Sequence, residues 1–161
     1  MITLVSNSID NTKSIAKKIA PYLKKGDTIV FTGDLGAGKT VFVSGILSYF
    51  GKENETSSPT FTIINEHNVT DKIKIFHFDV YRFDFEDEFL AIGGDEFFDK
   101  GICLIEWGEK IQNYLPNEYI KVVIHKDTED ENKRIFEFIS IGEKYNTLLS
   151  EVFNKYENFS N

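Results

Sequence analysis

One cysteine, three prolines and two arginines are all that 161 residues contain of those three types, and each scarcity excludes something. A lone thiol, Cys103, allows no disulfide within the chain and no cysteine-based zinc site, so it reads as a buried structural thiol. Few prolines and no low-complexity tract, with 41% hydrophobic residues, describe one folded domain over residues 1–161 whose last few polar positions form a mobile tail. No apolar run approaches the roughly 18 residues of a membrane-spanning helix, and Met1–Asp10 has no charged segment leading into an apolar one. The expected setting is the cytoplasm, with no membrane contact. Positive charge is also short: 18 basic against 26 acidic residues give a net charge of −8, the wrong sign for autonomous nucleic-acid binding.

The order of elements is that of an α/β protein with a mixed central sheet flanked by helices. A strand over 2–6 precedes a helix from about Asp10, with Ile15, Ala16, Ile19, Ala20 and Leu23 at helical spacing and Gly26 as its stop. Thr28–Thr32 is a strand, followed by a glycine loop and a helix from Lys39 to about Phe50. Strands over 61–66 and 73–80, separated by a polar turn, form an antiparallel hairpin. A short helix over 86–92 and a buried strand over 102–105 come next, with Glu106 at its carboxyl end. Strands over 119–124 and 134–139 follow, and Tyr145, Leu148, Leu149, Val152, Phe153 and Tyr156 make the apolar stripe of a last helix.

Gly33-Asp34-Leu35-Gly36-Ala37-Gly38-Lys39-Thr40 matches the P-loop pattern G-x-x-x-x-G-K-[ST] at every fixed position, between a strand and a helix as that motif requires. Glycines let the backbone curl so that its N–H groups, together with the helix N-terminus, cradle anionic phosphate. Lys39 supplies a point charge to the β- and γ-phosphates, and the Thr40 hydroxyl is a small oxygen ligand suited to Mg²⁺. The chemistry implied is binding of ATP with magnesium, and hydrolysis. A second acid at a strand end completes such a site, and Glu106 fits.

Two further clusters carry polar groups. Along 75–82, Phe76, Phe78 and Val80 share one face, and His77, Asp79 and Tyr81 share the other. That stripe is either a solvated strand face or a presentation of Asp79 to the nucleotide; a metal pair of His77 and Asp79 would be poor in ligands. Ser57-Ser58-Pro59-Thr60-Phe61 puts hydroxyls on both sides of a rigid proline, as an ordinary capped loop or as a switch segment near a γ-phosphate.

Taken together, the P-loop, Ser58-Pro59-Thr60-Phe61, His77-Phe78-Asp79-Val80-Tyr81-Arg82 and Ile105-Glu106-Trp107 resemble the TsaE family in order and spacing, from about residue 2 to residue 140. Members are bacterial P-loop ATPases required for the threonylcarbamoyladenosine modification of tRNAs that read codons beginning with A. The resemblance implies a P-loop NTPase fold, weak ATP hydrolysis, and work alongside the TsaD and TsaB proteins. It implies Glu106 as the Walker-B-type magnesium ligand, Asp79 as the required acid, Thr60 as the switch threonine and Trp107 beside the site, with Thr12 and Arg134 bordering the adenine. Two positions depart from the family pattern: Gly108 stands where proline is usual, and His67 where an aromatic is more common.

Rival classes remain. A small-molecule P-loop kinase closes an arginine-bearing lid over the phosphates, and Arg82 and Arg134 leave little for one. A GTPase is excluded because N-K-x-D and D-x-x-G are both absent. A non-catalytic, nucleotide-gated binding module stays open, and phosphate release in a single turnover separates it from an ATPase.

Overall fold

The computed structural model describes residues 1–55 and 57–157, and of 154–157 the backbone alone. Its elements are β1 (Ile2–Ser6), α1 (Ile9–Ile19), β2 (Thr28–Thr32), α2 (Lys39–Tyr49), β3 (Ile64–Asn68), β4 (Lys74–Asp79), α3 (Asp87–Ala91), β5 (Ile102–Glu106), β6 (Tyr119–Lys126), β7 (Arg134–Ile141) and α4 (Asn146–Glu157). Tight 3-10 turns cover Ala20–Tyr22, Glu53–Glu55, Gly94–Phe97 and Gly108–Tyr114.

β2 is built wholly of β-branched and aromatic residues, and β5 of apolar ones up to its terminal acid, so both can be buried on two faces. They lie side by side in a seven-stranded sheet of order β1-β7-β6-β2-β5-β4-β3. β6, β2, β5 and β4 run parallel, and β1, β7 and β3 pair antiparallel. The carboxyl ends of β2, β5 and β4 therefore open on one edge.

Alternation along the strands divides the core in two. Ile29, Phe31, Ile75, Ile102 and Leu104 face α1, α2 and α4, whereas Phe76, Phe78, Cys103 and Ile105 face Phe83, Phe89 and Ile111 on the opposite side. Phe42 of α2 sits at the centre of the first half, its ring against Phe31, Phe136 and Phe138. Truncating so enclosed an aromatic to alanine costs about 3–5 kcal/mol. Cys103 is buried as expected, and burial pushes its thiol up to about 12.

Three expectations change. The first helix ends at Ile19, and a 3-10 turn replaces its last residues because Pro21 has no N–H to donate. β3 starts at Ile64, since Ile63 takes a left-handed conformation (φ +67°) that ends strand geometry. Of the two readings of the polar stripe on β4, the solvated one fails within the strand, where His77 is fully buried and Asp79 is 4% exposed, while Tyr81 beyond its end is exposed. Tyr145, just before α4, and Leu149, Val152 and Phe153 along it are buried, whereas the Tyr156 side chain and the final residues lie outside the described part. No helix among the described residues is long and apolar enough to cross a membrane.

Candidate functional site

The loop 33–38 leaves β2 and turns into α2. Gly33 has φ +140°, and a Cβ there would run into the carbonyl oxygen of Ile124 on β6. Gly38, at φ +111°, is the N-cap of α2, whose first N–H groups have no carbonyl partner within the helix. They open on a cleft of about 250 Å³ lined by Leu35–Val41, Ser58, Thr60, Asp79, Glu106 and Trp107. A concave run of N–H groups at a helix N-terminus is suited to an anion.

Glu106 ends β5 under the first turn of α2, and only 2% of it is exposed. The Thr40 hydroxyl lies 2.9 and 3.0 Å from its two carboxylate oxygens, and His77 Nε2 lies 2.7 Å from Oε1. One strand away, Asp79 ends β4. Its Oδ2 accepts hydrogen bonds from Ser58 at 2.9 Å and Thr60 at 2.8 Å, and its Oδ1 accepts from the Tyr81 N–H at 3.0 Å. Ser58 and Thr60 are themselves 2.9 Å apart. The serine–proline–threonine loop is thereby tied to the acid, with Phe61 at its tip 84% exposed beneath the Arg82 guanidinium.

Two residues other than glycine adopt positive φ among those described, and both adjoin these acids. The Ile63 carbonyl accepts from the Asp79 N–H at 2.9 Å, and Trp107, at φ +64°, follows Glu106 directly. Such conformations cost on the order of 1–3 kcal/mol each and persist where the surroundings over-determine them, often at functional sites.

Lys39 is 4% exposed. Its ammonium donates to the carbonyls of Gly33 and Asp34 and sits 3.6 Å from the centroid of Trp107, whose ring packs on Tyr81. Burial holds this amine below the ordinary lysine range, against the opposing pull of Glu106, Glu109, Asp79 and Asp34. The cation is thus held by carbonyls and a ring face, with no direct salt bridge among the described residues.

On the far side of the loop a second cleft, about 210 Å³, is lined by Ser8, Thr12, Gly36–Gly38 and Arg134 among others. Thr12 is anchored by a 2.7 Å hydrogen bond to Ser6. Arg134 donates through Nε to the Ala37 carbonyl at 3.0 Å. Lys126 donates to the Leu35 carbonyl. Thr12, Thr60, Asp79, Glu106, Trp107 and Arg134 therefore line one of the two clefts that flank the loop, and 33–40 form or adjoin the loop between them, whereas His77 is buried behind Glu106 and Arg82 lies over Phe61.

A family model described as threonylcarbamoyl adenosine biosynthesis protein TsaE matches residues 6–135. The chain belongs to the TsaE family. The tRNA threonylcarbamoyladenosine biosynthesis protein TsaE of Bacillus subtilis (strain 168) is 41% identical over 153 residues, which cover 94% of this chain and 93% of that protein. Its namesake in Treponema pallidum (strain Nichols) is 35% identical over 132 residues, 81% of this chain and 96% of that one. A crystal structure of YdiB from Bacillus subtilis superposes with a TM-score of 0.78 at 34% identity, covering 96% of this chain and 95% of that one.

The stretch matched by the TsaE model holds Thr12, the loop, Thr60, Asp79, Glu106, Trp107 and Arg134. Both departures from the TsaE pattern are enclosed by the fold. A Cβ at Gly108 would collide with Val30 Cγ1, so that space is already filled from β2. His67 is buried, with Nδ1 2.9 Å from Glu55. Sequence reasoning gave no role to Lys126 and passed over the contact of His77 with Glu106. Lys126 acts across 91 residues and leaves no local signal, whereas a histidine alternating with Phe76 and Phe78 was a visible one.

Proposed function

We propose that this TsaE-family chain is a P-loop NTPase domain that binds ATP with magnesium and hydrolyses it slowly, in support of tRNA threonylcarbamoyladenosine biosynthesis through the TsaD–TsaB transferase complex. The observation that carries the reading is the Thr40 hydroxyl held within 3.0 Å of the Glu106 carboxylate at the floor of a glycine-loop cleft. Hydroxyl and carboxylate oxygens are the hard donors that Mg²⁺ prefers, so the residues fit the metal. When bound, the metal would withdraw charge from the β- and γ-phosphate oxygens.

The protein's own part follows from its groups. N–H groups of 36–40 bind phosphate, and Lys39 leaves its carbonyl partners for the more strongly negative phosphate oxygens. Thr40 and Glu106 hold the metal site. Asp79 orients the attacking water while Ser58 and Thr60 keep the switch loop beside it, and Trp107 walls the cleft. Thr12 and Arg134 border the adenine in the adjoining cleft.

Phosphate release in a single turnover, measured with and without TsaD and TsaB, tests this. Stimulated release is expected, and nucleotide binding without any release would leave only a nucleotide-gated module. That second reading has an observation of its own, since Asp79 holds a loop whose exposed Phe61 could report the state of the cleft to a partner. A kinase finds less support: Arg134 is engaged with loop carbonyls and Arg82 with Phe61, and neither belongs to a lid.

A further inference from the structure

We propose that His77 is a positioning residue that acts through Glu106, fixing the carboxylate so that Thr40 and Glu106 present one preformed cation site. The inference rests on the magnesium reading of Thr40 and Glu106 given above.

His77 has no exposed surface, and its ring lies on the α2 side of β4, in register with Asn65 on β3 and Leu104 on β5. Among the described residues its only polar contact is with Glu106, 2.7 Å from Nε2 to Oε1, and Nδ1 is buried without a partner. A carboxylate can only accept, so Nε2 is the donor. A buried polar ring with one atom unsatisfied is a poor choice for packing, since an apolar side chain of similar size would fill the site without stranding a nitrogen. What an apolar residue could not do is hold Glu106. The acid ends its strand, and a free glutamate has three torsions with which to leave a given orientation.

With the ring in place, Oε1 is shared between His77 and Thr40 while Oε2 meets Thr40 alone, and the carboxylate so held belongs to the lining of the cleft. Asp79 lies across from Glu106 on the neighbouring strand but is occupied by Ser58, Thr60 and Tyr81 and gives Glu106 no support. Partners that orient a metal-binding side chain from behind in this way commonly matter about tenfold to a hundredfold in metal affinity.

The test is ATP affinity measured by calorimetry with magnesium and again with EDTA, whose ratio gives the magnesium coupling. His77→Leu and His77→Asn are expected to lower that ratio about tenfold and to leave affinity in EDTA unchanged. His77→Gln, whose amide nitrogen reaches the place of Nε2, is expected to retain most of it. In a Glu106→Gln background His77→Leu is expected to add nothing, because the residue through which His77 acts is already altered. Undiminished coupling in His77→Leu, or a full additional loss in the double variant, overturns the proposal. Should His77→Leu fail to fold, equal coupling in the Asn and Gln variants overturns it just as well. If the unaltered protein binds ATP equally in both media, the magnesium reading itself fails and this inference goes with it.

Discussion

Asp79 and Glu106 stand opposite one another in the parallel register of β4 and β5, two carboxylates ending adjacent strands on the same face of the sheet. They are held by different groups: Asp79 by the loop hydroxyls of Ser58 and Thr60, Glu106 by Thr40 and His77. Neighbouring acids can thus serve different tasks.

For Asp79→Asn the expectation is ATP affinity within about tenfold, or roughly 1.4 kcal/mol, and hydrolysis at least about a hundredfold slower. An amide has the same size but lacks the charge, and with its oxygen kept toward Ser58 and Thr60 its nitrogen cannot accept from the Tyr81 N–H. Assays with TsaD and TsaB present should show the loss; normal turnover in that assembly would make Asp79 merely the anchor of its loop.

Lys39→Ala should keep the fold, because the ammonium reaches loop carbonyls and a ring rather than the core. ATP turnover should fall by more than about tenfold through loss of a charge-assisted phosphate contact. Circular dichroism and phosphate release check both parts, and an unfolded apo variant would contradict the first.

Thr40→Ala and Glu106→Gln should each make ATP binding less responsive to magnesium, by about tenfold. The first removes a ligand hydroxyl and the second a charge. An unchanged magnesium titration in both would remove the metal from this end of β5.

Gly108→Ala should destabilise the protein by about 1–3 kcal/mol through overpacking against Val30. Val30→Ala in the same chain should recover part of that loss. Urea unfolding measures both, and equal stability of Gly108→Ala and the parent would show that the contact relaxes freely.

Cys103 should resist iodoacetamide in the folded protein and react on unfolding. A thiol pushed up to about 12 is some four units above pH 8, so only ~1 in 10,000 is thiolate there, and burial denies access besides. Rapid labelling of the native chain would contradict its place in the core.

Much of this architecture could be read along the chain because its signals are local. β2, the glycine loop and α2 follow one another directly, and the pattern 33–40 carries its own chemistry. The run Phe61-Thr62-Ile63 was misread as strand because its residues favour β structure, while the tertiary contact of the Ile63 carbonyl with the Asp79 N–H imposes a left-handed turn. The pairing of His77 with Glu106 depends on the register of two strands and on which face α2 covers, which no window of sequence contains. Tight 3-10 turns such as Gly108–Tyr114 have no strong periodicity to announce them.

β6 and β7 hold the loop from outside its own neighbourhood: Ile124 limits residue 33, Lys126 grips Leu35 and Arg134 grips Ala37. β1 likewise finds its partner in β7, far along the sequence. During synthesis, then, the glycine loop and both acids precede β6 and β7, the strands that hold the loop. A chain in which β6 and β7 have not yet docked would therefore hold the glycine motif without the distant contacts that fix its shape, so the loop is expected to order only after those strands have joined the sheet.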